Sequence, residues 1–213
     1  MTQSLLDICN VSCERDDRLL FQNLSFSCTH GSLTQIAGAN GAGKTSLLAI
    51  LAGLLNPLEG DIRVDGNSIY DDMAAFHQRL LYFPHRPAIK LELTARQNLN
   101  FLIRLHGGRA TQADLDSALQ EMGLLGYEET LCRHLSAGQL RRVALARLII
   151  SEADVWLLDE PFTALDVQAV SDLEGLLSKK ASAGKCILFT THHTTQMKNY
   201  SKITLGGASD IDD

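Results

Sequence analysis

The segment Gly38-Ala39-Asn40-Gly41-Ala42-Gly43-Lys44-Thr45 follows an apolar run, 33–37, and precedes a segment of helical character, 46–51. Glycines in such a turn let the backbone approach phosphate closely, and the N–H groups at a helix start bind phosphate oxygens. In this pattern Lys44 reaches the β and γ phosphates, and Thr45 places its hydroxyl on Mg²⁺. The segment therefore predicts a binding site for a nucleoside triphosphate such as ATP.

A pair of carboxylates follows a second apolar run. The run 155–158 is apolar without interruption, which is typical of a strand buried on both faces of a parallel sheet, and it leads directly into Asp159 and Glu160. Ligands bind at the carboxyl ends of such strands, so we expect Asp159 to hold Mg²⁺, directly or through water. Glu160 is expected to orient and deprotonate the attacking water.

The segment Leu135-Ser136-Ala137-Gly138-Gln139 has the pattern of a helix start. Ser136 is placed to cap the helix, and Gln139 lies three residues further on, the spacing of a capping box. A helix start carries partial positive charge and suits phosphate. The segment therefore adds a second candidate phosphate contact.

These segments, in this order, resemble the ATP-binding cassette ATPases over nearly the whole chain. The resemblance implies an α/β fold of the P-loop NTPase type: a RecA-like core, an antiparallel β flank and a small helical lobe. We expect one ATP-binding domain, 1–213, with its core in 1–84 and 155–213 and its helical lobe at about 85–154.

The resemblance also implies roles for further residues. His192, which follows the apolar run 186–189, contacts the γ-phosphate as a switch. Ser136, Gly138 and Gln139 bind the ATP held by an opposite subunit, so two chains pair head to tail as a homodimer. Asp166 belongs to the loop that links the two sites across that interface.

Composition limits the classes of function. The chain carries 19 Lys and Arg against 25 Asp and Glu, a formal net charge of -6, so no nucleic acid partner is expected. The pair Arg141-Arg142 is interpreted as a solvated helix face or an intersubunit contact. The longest apolar run, 47–55, is about half of the ~20 residues of a membrane-spanning helix. The first residues lack an export signal, so we expect a cytosolic chain.

The apolar patterns predict the main elements. The segments 5–11, 19–28 and 61–65 are expected to form the antiparallel flank, and 33–37, 155–158 and 186–189 to form parallel strands. A helix is predicted from a Thr94-Gln97 capping box to Gly107-Gly108. A second helix is predicted from near Thr111 to Gly123.

Three departures from the common cassette pattern narrow the resemblance. The segment 13–18 replaces the aromatic residue that stacks on adenine, His85 stands where glutamine is usual, and Ala137 stands where glycine is commoner. These features resemble the ATP-binding subunit of bacterial haem exporters of cytochrome c maturation. That likeness implies a peripheral subunit on the cytoplasmic face of the inner membrane, with integral-membrane partners, whose ATP hydrolysis supports haem delivery to a periplasmic haem chaperone.

Two alternative functions stay open at this point. One is a soluble cassette ATPase of translation or DNA repair, although such proteins usually carry two cassettes or a long coiled-coil insertion. The other is a non-catalytic regulatory subunit that binds nucleotide, which His85 and the missing aromatic residue suggest. A regulatory subunit would bind ATP without hydrolysing it, which distinguishes it from an ATPase.

Overall fold

The computed structural model describes residues 4–206, which form an antiparallel sheet, a parallel sheet and a group of helices. Residues 1–3 and 207–213, which belong to the predicted domain 1–213, lie outside the described residues. The strands, in chain order, are β1 Ser4–Arg15, β2 Arg18–Thr29, β3 Leu33–Gly38, β4 Glu59–Val64, β5 Asn67–Ser68, β6 Leu80–Phe83, β7 Val155–Leu158, β8 Cys186–Thr190 and β9 Ser201–Leu205.

The antiparallel sheet has the order β2-β1-β4-β5, which confirms the predicted flank. Its first two strands are longer than expected because pairing continues to Arg15 and Arg18, at the end of the hairpin. The hairpin turn consists of Asp16 and Asp17, whose φ angles of 52 and 57° lie in the left-handed region. Two such residues match the right-handed twist of paired strands, so the turn extends the hairpin without splaying it.

The parallel sheet has the order β6-β7-β8-β3-β9. The three predicted parallel strands, β7, β8 and β3, are its central strands. The edge strands β6 and β9 were not predicted. Strand β9 is largely exposed and carries Ser201, Lys202 and Thr204, so it lacks a continuous apolar run. Strand β6 directly follows a helix. Because no glycine or proline separates the two elements, the sequence does not indicate where the strand begins.

The central strands are buried on both faces. Val155 and Leu157 of β7 pack in one core with residues of the antiparallel sheet, whereas Trp156 and Leu158 pack in a second core on the opposite face. This two-sided burial explains the uninterrupted apolar run. It also fixes the ends of the strands, where the candidate site lies.

The helices are α1 Lys44–Leu51, α2 Met73–Arg79, α3 Ala95–Leu105, α4 Gln112–Glu121, α5 Ala137–Leu145, α6 Arg147–Ile150 and α7 Val167–Ser182. Helices α3 to α6 lie between β6 and β7 in the chain and share a third apolar cluster. The predicted capping box at Thr94 and Gln97 is present, and α4 is likewise capped by Thr111. Among residues 4–206, no helix has both the length and the apolar character needed to span a bilayer.

One buried amide ties the segment after β6 to the helical lobe. Asn98 of α3 is fully buried; its Nδ2 donates to the carbonyl of Lys90 at 2.8 Å, and its Oδ1 accepts from the N–H of Lys90 at 2.8 Å. Its Nδ2 also lies 3.2 Å from the carbonyl of Thr94. The Asn98 amide therefore fixes the connection that leaves the carboxyl end of β6.

Replacing Asn98 with Ala should destabilise the chain, because it removes the hydrogen bonds that this buried amide makes with the N–H and the carbonyl of Lys90. We expect the free energy of unfolding in urea to fall by about 1–3 kcal/mol. The control is Asn100→Ala, whose side chain only accepts from Arg104 at the surface, and it should change stability by less than about 0.5 kcal/mol. Equal losses for the two variants would contradict the role given to Asn98.

Candidate functional site

A cavity of about 790 Å³ lies at the carboxyl ends of the parallel strands. The predicted phosphate-binding segment, both carboxylates and the predicted switch histidine meet there. The lining residues named in the sequence analysis are Asn40, Gly41, Gly43, Lys44, Thr45, His85, Asp159, Glu160 and His192. Arg15 and Leu20, from the hairpin that replaces the usual aromatic residue, line the same cavity.

The phosphate-binding segment joins β3 to α1. Gly38 has φ 146°, and a Cβ added there would lie 2.7 Å from the carbonyl oxygen of Leu205, so only glycine fits. Lys44 lies back over the loop, and its Nζ donates to the carbonyls of Gly38 at 2.9 Å and Ala39 at 3.1 Å. The first turn of α1 has no acidic residue and no side-chain cap, so its positive end faces the cavity uncompensated.

Asp159 is 1% exposed and has one satisfied and one unsatisfied oxygen. Its Oδ1 accepts from the hydroxyl of Thr190 at 2.7 Å, whereas its Oδ2 is buried and has no hydrogen-bond partner in the part of the chain that the structure describes. A buried, unpaired carboxylate oxygen is costly unless a cation binds it. Together with the Thr45 hydroxyl on the same cavity, this oxygen fits Mg²⁺, which prefers oxygen ligands and often uses one or two protein groups plus phosphates.

Glu160 is held by its backbone in an uncommon conformation. Its φ is 50°, its N–H donates to the Thr190 hydroxyl at 2.9 Å, and its carbonyl accepts from Arg141. Oε2 accepts from the N–H of His192 at 3.2 Å. Oε1 lies 3.5 Å from Nε2 of His192 and is buried, with no hydrogen-bond partner within the described range 4–206. One carboxylate oxygen is therefore available to accept a proton or to bind water.

The interpretation of Arg141 as a solvated residue or an intersubunit contact is wrong. Arg141 is 5% exposed, its guanidinium lies 4.5 Å from the centre of the Phe83 ring, and it donates to the carbonyl of His85 at 2.7 Å. Burial lowers the pKa of Arg141 to about 10, against the opposing effect of Asp159 and Glu160. Arg141 thus ties the ends of β6 and β7 together.

Sequence reasoning missed two residues of the site, Thr190 and Arg141. Arg141 is followed on α5 and α6 by Ala144, Leu145 and Leu148, which are buried at the spacing of one helix face. The position of Arg141 on this apolar helix face could have indicated that its side chain is buried. Thr190 had a weaker signal, because a hydroxyl residue at the end of a buried strand is common.

The segment 135–139 does not line this cavity. Ser136 caps α5: the N–H of Gln139 donates to its hydroxyl at 3.2 Å, and its own N–H donates to Oε1 of Gln139 at 2.9 Å. The segment lies instead beside the loop before α7, since a Cβ added to Gly138 would lie 2.9 Å from the carbonyl of Ala164. Asp166 caps α7 and pairs with Arg142 in the same chain.

The fold and the cavity define a P-loop ATPase of the ATP-binding cassette class. The family model described as ABC transporter matches residues 21–163. The chain belongs to this family. A solved structure described as a putative ABC transporter ATP-binding protein from Pyrococcus furiosus has the same fold, with a TM-score of 0.83 at 22% identity, covering 95% of this chain and 98% of that one.

Curated relatives identify the particular branch of the family. The chain is 47% identical over 204 residues to the cytochrome c biogenesis ATP-binding export protein CcmA of Colwellia psychrerythraea, covering 94% of this chain and 92% of the relative. It is 49% identical over 188 residues to the protein of the same name in Yersinia pseudotuberculosis, covering 88% and 86%. The predicted resemblance to this branch is confirmed.

Replacing Thr190 with Val should impair turnover, because one hydroxyl orients both Asp159 and Glu160. We expect the rate of ATP hydrolysis to fall by roughly 10- to 100-fold, the scale of a small misplacement of reacting groups. Phosphate release from the purified full-length chain measures it. Thr204→Val on the exposed edge strand β9 is the control. Wild-type turnover in a folded Thr190→Val protein would contradict the role of the hydroxyl.

Proposed function

We propose that the chain is the Mg²⁺-dependent ATP-hydrolysing subunit of a haem exporter complex of cytochrome c biogenesis. The observation that carries the proposal is that Asp159 and Glu160, which line the cavity of the phosphate-binding segment, each have one buried carboxylate oxygen with no hydrogen-bond partner among residues 4–206. A cavity with a phosphate cradle at one side and two available carboxylate oxygens at the other suits hydrolysis of a bound triphosphate.

In this proposal each residue has a distinct role. The backbone of Gly38, Ala39, Asn40, Gly41, Ala42 and Gly43 binds phosphate oxygens, and Lys44 leaves its two carbonyl partners to reach the β and γ phosphates. Thr45 and Asp159 hold Mg²⁺, which neutralises phosphate charge when bound. Glu160 accepts the proton of the attacking water through its unpaired oxygen. His192, next to that carboxylate, contacts the γ-phosphate.

The proposal includes a head-to-tail homodimer. One chain carries one phosphate-binding segment and one Ser136 helix start, and the helix start lies outside its own cavity. A two-fold axis brings the helix start of each chain to the nucleotide of the other, so that Ser136, Gly138 and Gln139 act in trans. Asp166, in the loop beside Gly138, reaches across the same interface.

The membrane context follows from the relatives, whose names describe ATP-binding export proteins of cytochrome c biogenesis. We infer integral-membrane partners and a peripheral position on the cytoplasmic face of the bacterial inner membrane. Residues 85–154 form the helical lobe in this proposal, and the lobe and His85 dock a membrane partner. Closure of the two copies on ATP then supports haem delivery to the periplasmic haem chaperone.

Replacing Glu160 with Gln removes the proton acceptor and keeps its shape. Turnover should fall by at least ~100-fold, the scale of general-base catalysis. ATP should still bind and hold two copies together, which light scattering measures as a doubled mass. Lys44→Ala is the matched comparison, because it should weaken nucleotide binding itself. Unchanged turnover in Glu160→Gln would refute the assignment of Glu160.

The export role is tested in cells whose only copy of this chain is the Glu160→Gln variant. We expect c-type cytochromes without covalently bound haem, because haem delivery lacks its ATP-hydrolysing step; peroxidase staining of periplasmic proteins measures the bound haem. Asp172→Ala, at an exposed position of α7, should retain wild-type staining. Wild-type staining in the Glu160→Gln cells would contradict the export role. It would not bear on the ATPase role, which the turnover assay tests separately.

A further inference from the structure

Glu174 is a buried charged residue outside the cavity. It lies on α7 between Leu173 and Leu177, which belong to the core under the parallel sheet, and it is 8% exposed. Among residues 4–206 it forms no ion pair with a basic side chain within 4.0 Å. A carboxylate so placed needs hydrogen bonds to offset the loss of water.

Within the described residues, two hydrogen bonds reach the Glu174 carboxylate, and both come from the connection between β8 and β9. Its Oε1 accepts from the hydroxyl of Thr195 at 2.6 Å and from the N–H of Gln196 at 3.0 Å. The Thr195 hydroxyl in turn accepts from the N–H of Met197 at 3.1 Å. The carboxylate thus organises three consecutive residues of a connection that has no helix or strand of its own.

This connection carries His192. The N–H of His192 donates to Glu160, and the hydroxyl of Thr195, three positions further along the chain, donates to Glu174. The connection is therefore held at its start by the site and at its middle by α7. The Glu174 contact therefore limits the positions that the backbone between His192 and Thr195 can take, and with it the position of the His192 side chain.

We propose that Glu174 is a positioning residue for His192. Its carboxylate holds the connection after β8 so that the imidazole lies beside the reacting end of Glu160. The inference rests on the proposed roles of Glu160 and His192, and it adds a residue that neither lines the cavity nor belongs to a nucleotide-binding segment.

The kinetic test compares three variants of the full-length chain. Glu174→Ala should lower kcat by roughly 10- to 100-fold, because small displacements of catalytic groups have effects of this size. KM for ATP should change less than about twofold, because Glu174 does not line the cavity and its loss should affect catalysis more than substrate binding. Glu174→Gln keeps the acceptor oxygen and should restore most of kcat. Asp172→Ala, two positions earlier on the same helix, should match wild type.

A double-mutant cycle distinguishes positioning of His192 from general loosening of the fold. If Glu174 acts through His192, then Glu174→Ala should lower kcat much less in a His192→Ala background, since contacting groups are not additive. The inference would be overturned if Glu174→Ala lowered kcat by the same factor in both backgrounds. It would also be overturned if kcat of Glu174→Gln were as low as that of Glu174→Ala.

Hydrogen exchange provides a second measurement for variants whose rates are too low for the cycle. The amides of Gln196 and His192 should exchange faster in Glu174→Ala and at the wild-type rate in Glu174→Gln, because local opening sets the rate. Unchanged exchange in Glu174→Ala would also overturn the inference.

Loss of activity in Glu160→Gln with normal Glu174→Ala kinetics would refute only the role of Glu174, whereas normal activity in Glu160→Gln would refute the proposed function.

Discussion

The hydroxyl of Thr190 is the interaction on which the site depends. It donates to Asp159 and accepts from the N–H of Glu160, so one buried atom orients both acidic residues. The bridge exists because β7 and β8 are parallel neighbours with Leu158 opposite Phe189, which places the residues after them side by side. A one-residue slip in this register would reverse the faces of the strand and remove the bridge.

Arg141 provides the complementary restraint from the helical side. Its guanidinium donates to backbone carbonyls at the ends of two strands and stacks on Phe83, so it links the strand ends to α5. Helix α5 begins at Ser136, the segment proposed to reach the second copy. In the proposed dimer, the same helix would therefore connect the intersubunit contact to the backbone of Glu160.

The sequence predicted most of the fold because its strongest signals are local. Uninterrupted apolar runs marked the central strands, and capping patterns marked the helix starts at Thr94 and Ser136. Strand β9 was missed because its exposed residues weaken the apolar pattern, and β6 was missed because it follows α2 with no breaker residue between them. Arg141 was misread because a basic residue is normally exposed, and only the packing of α5 against the strand ends gives it buried carbonyl partners. Glu174 had no sequence signal, since its partners are defined by tertiary contact.

A crystal structure of the Glu160→Gln variant with Mg²⁺ and ATP tests the central claim most directly. The account predicts that the metal binds Oδ2 of Asp159 and the hydroxyl of Thr45, and that the Ser136 helix start of a second copy contacts the γ-phosphate. A metal bound away from Asp159, or a nucleotide contacted by only one chain, would contradict the account.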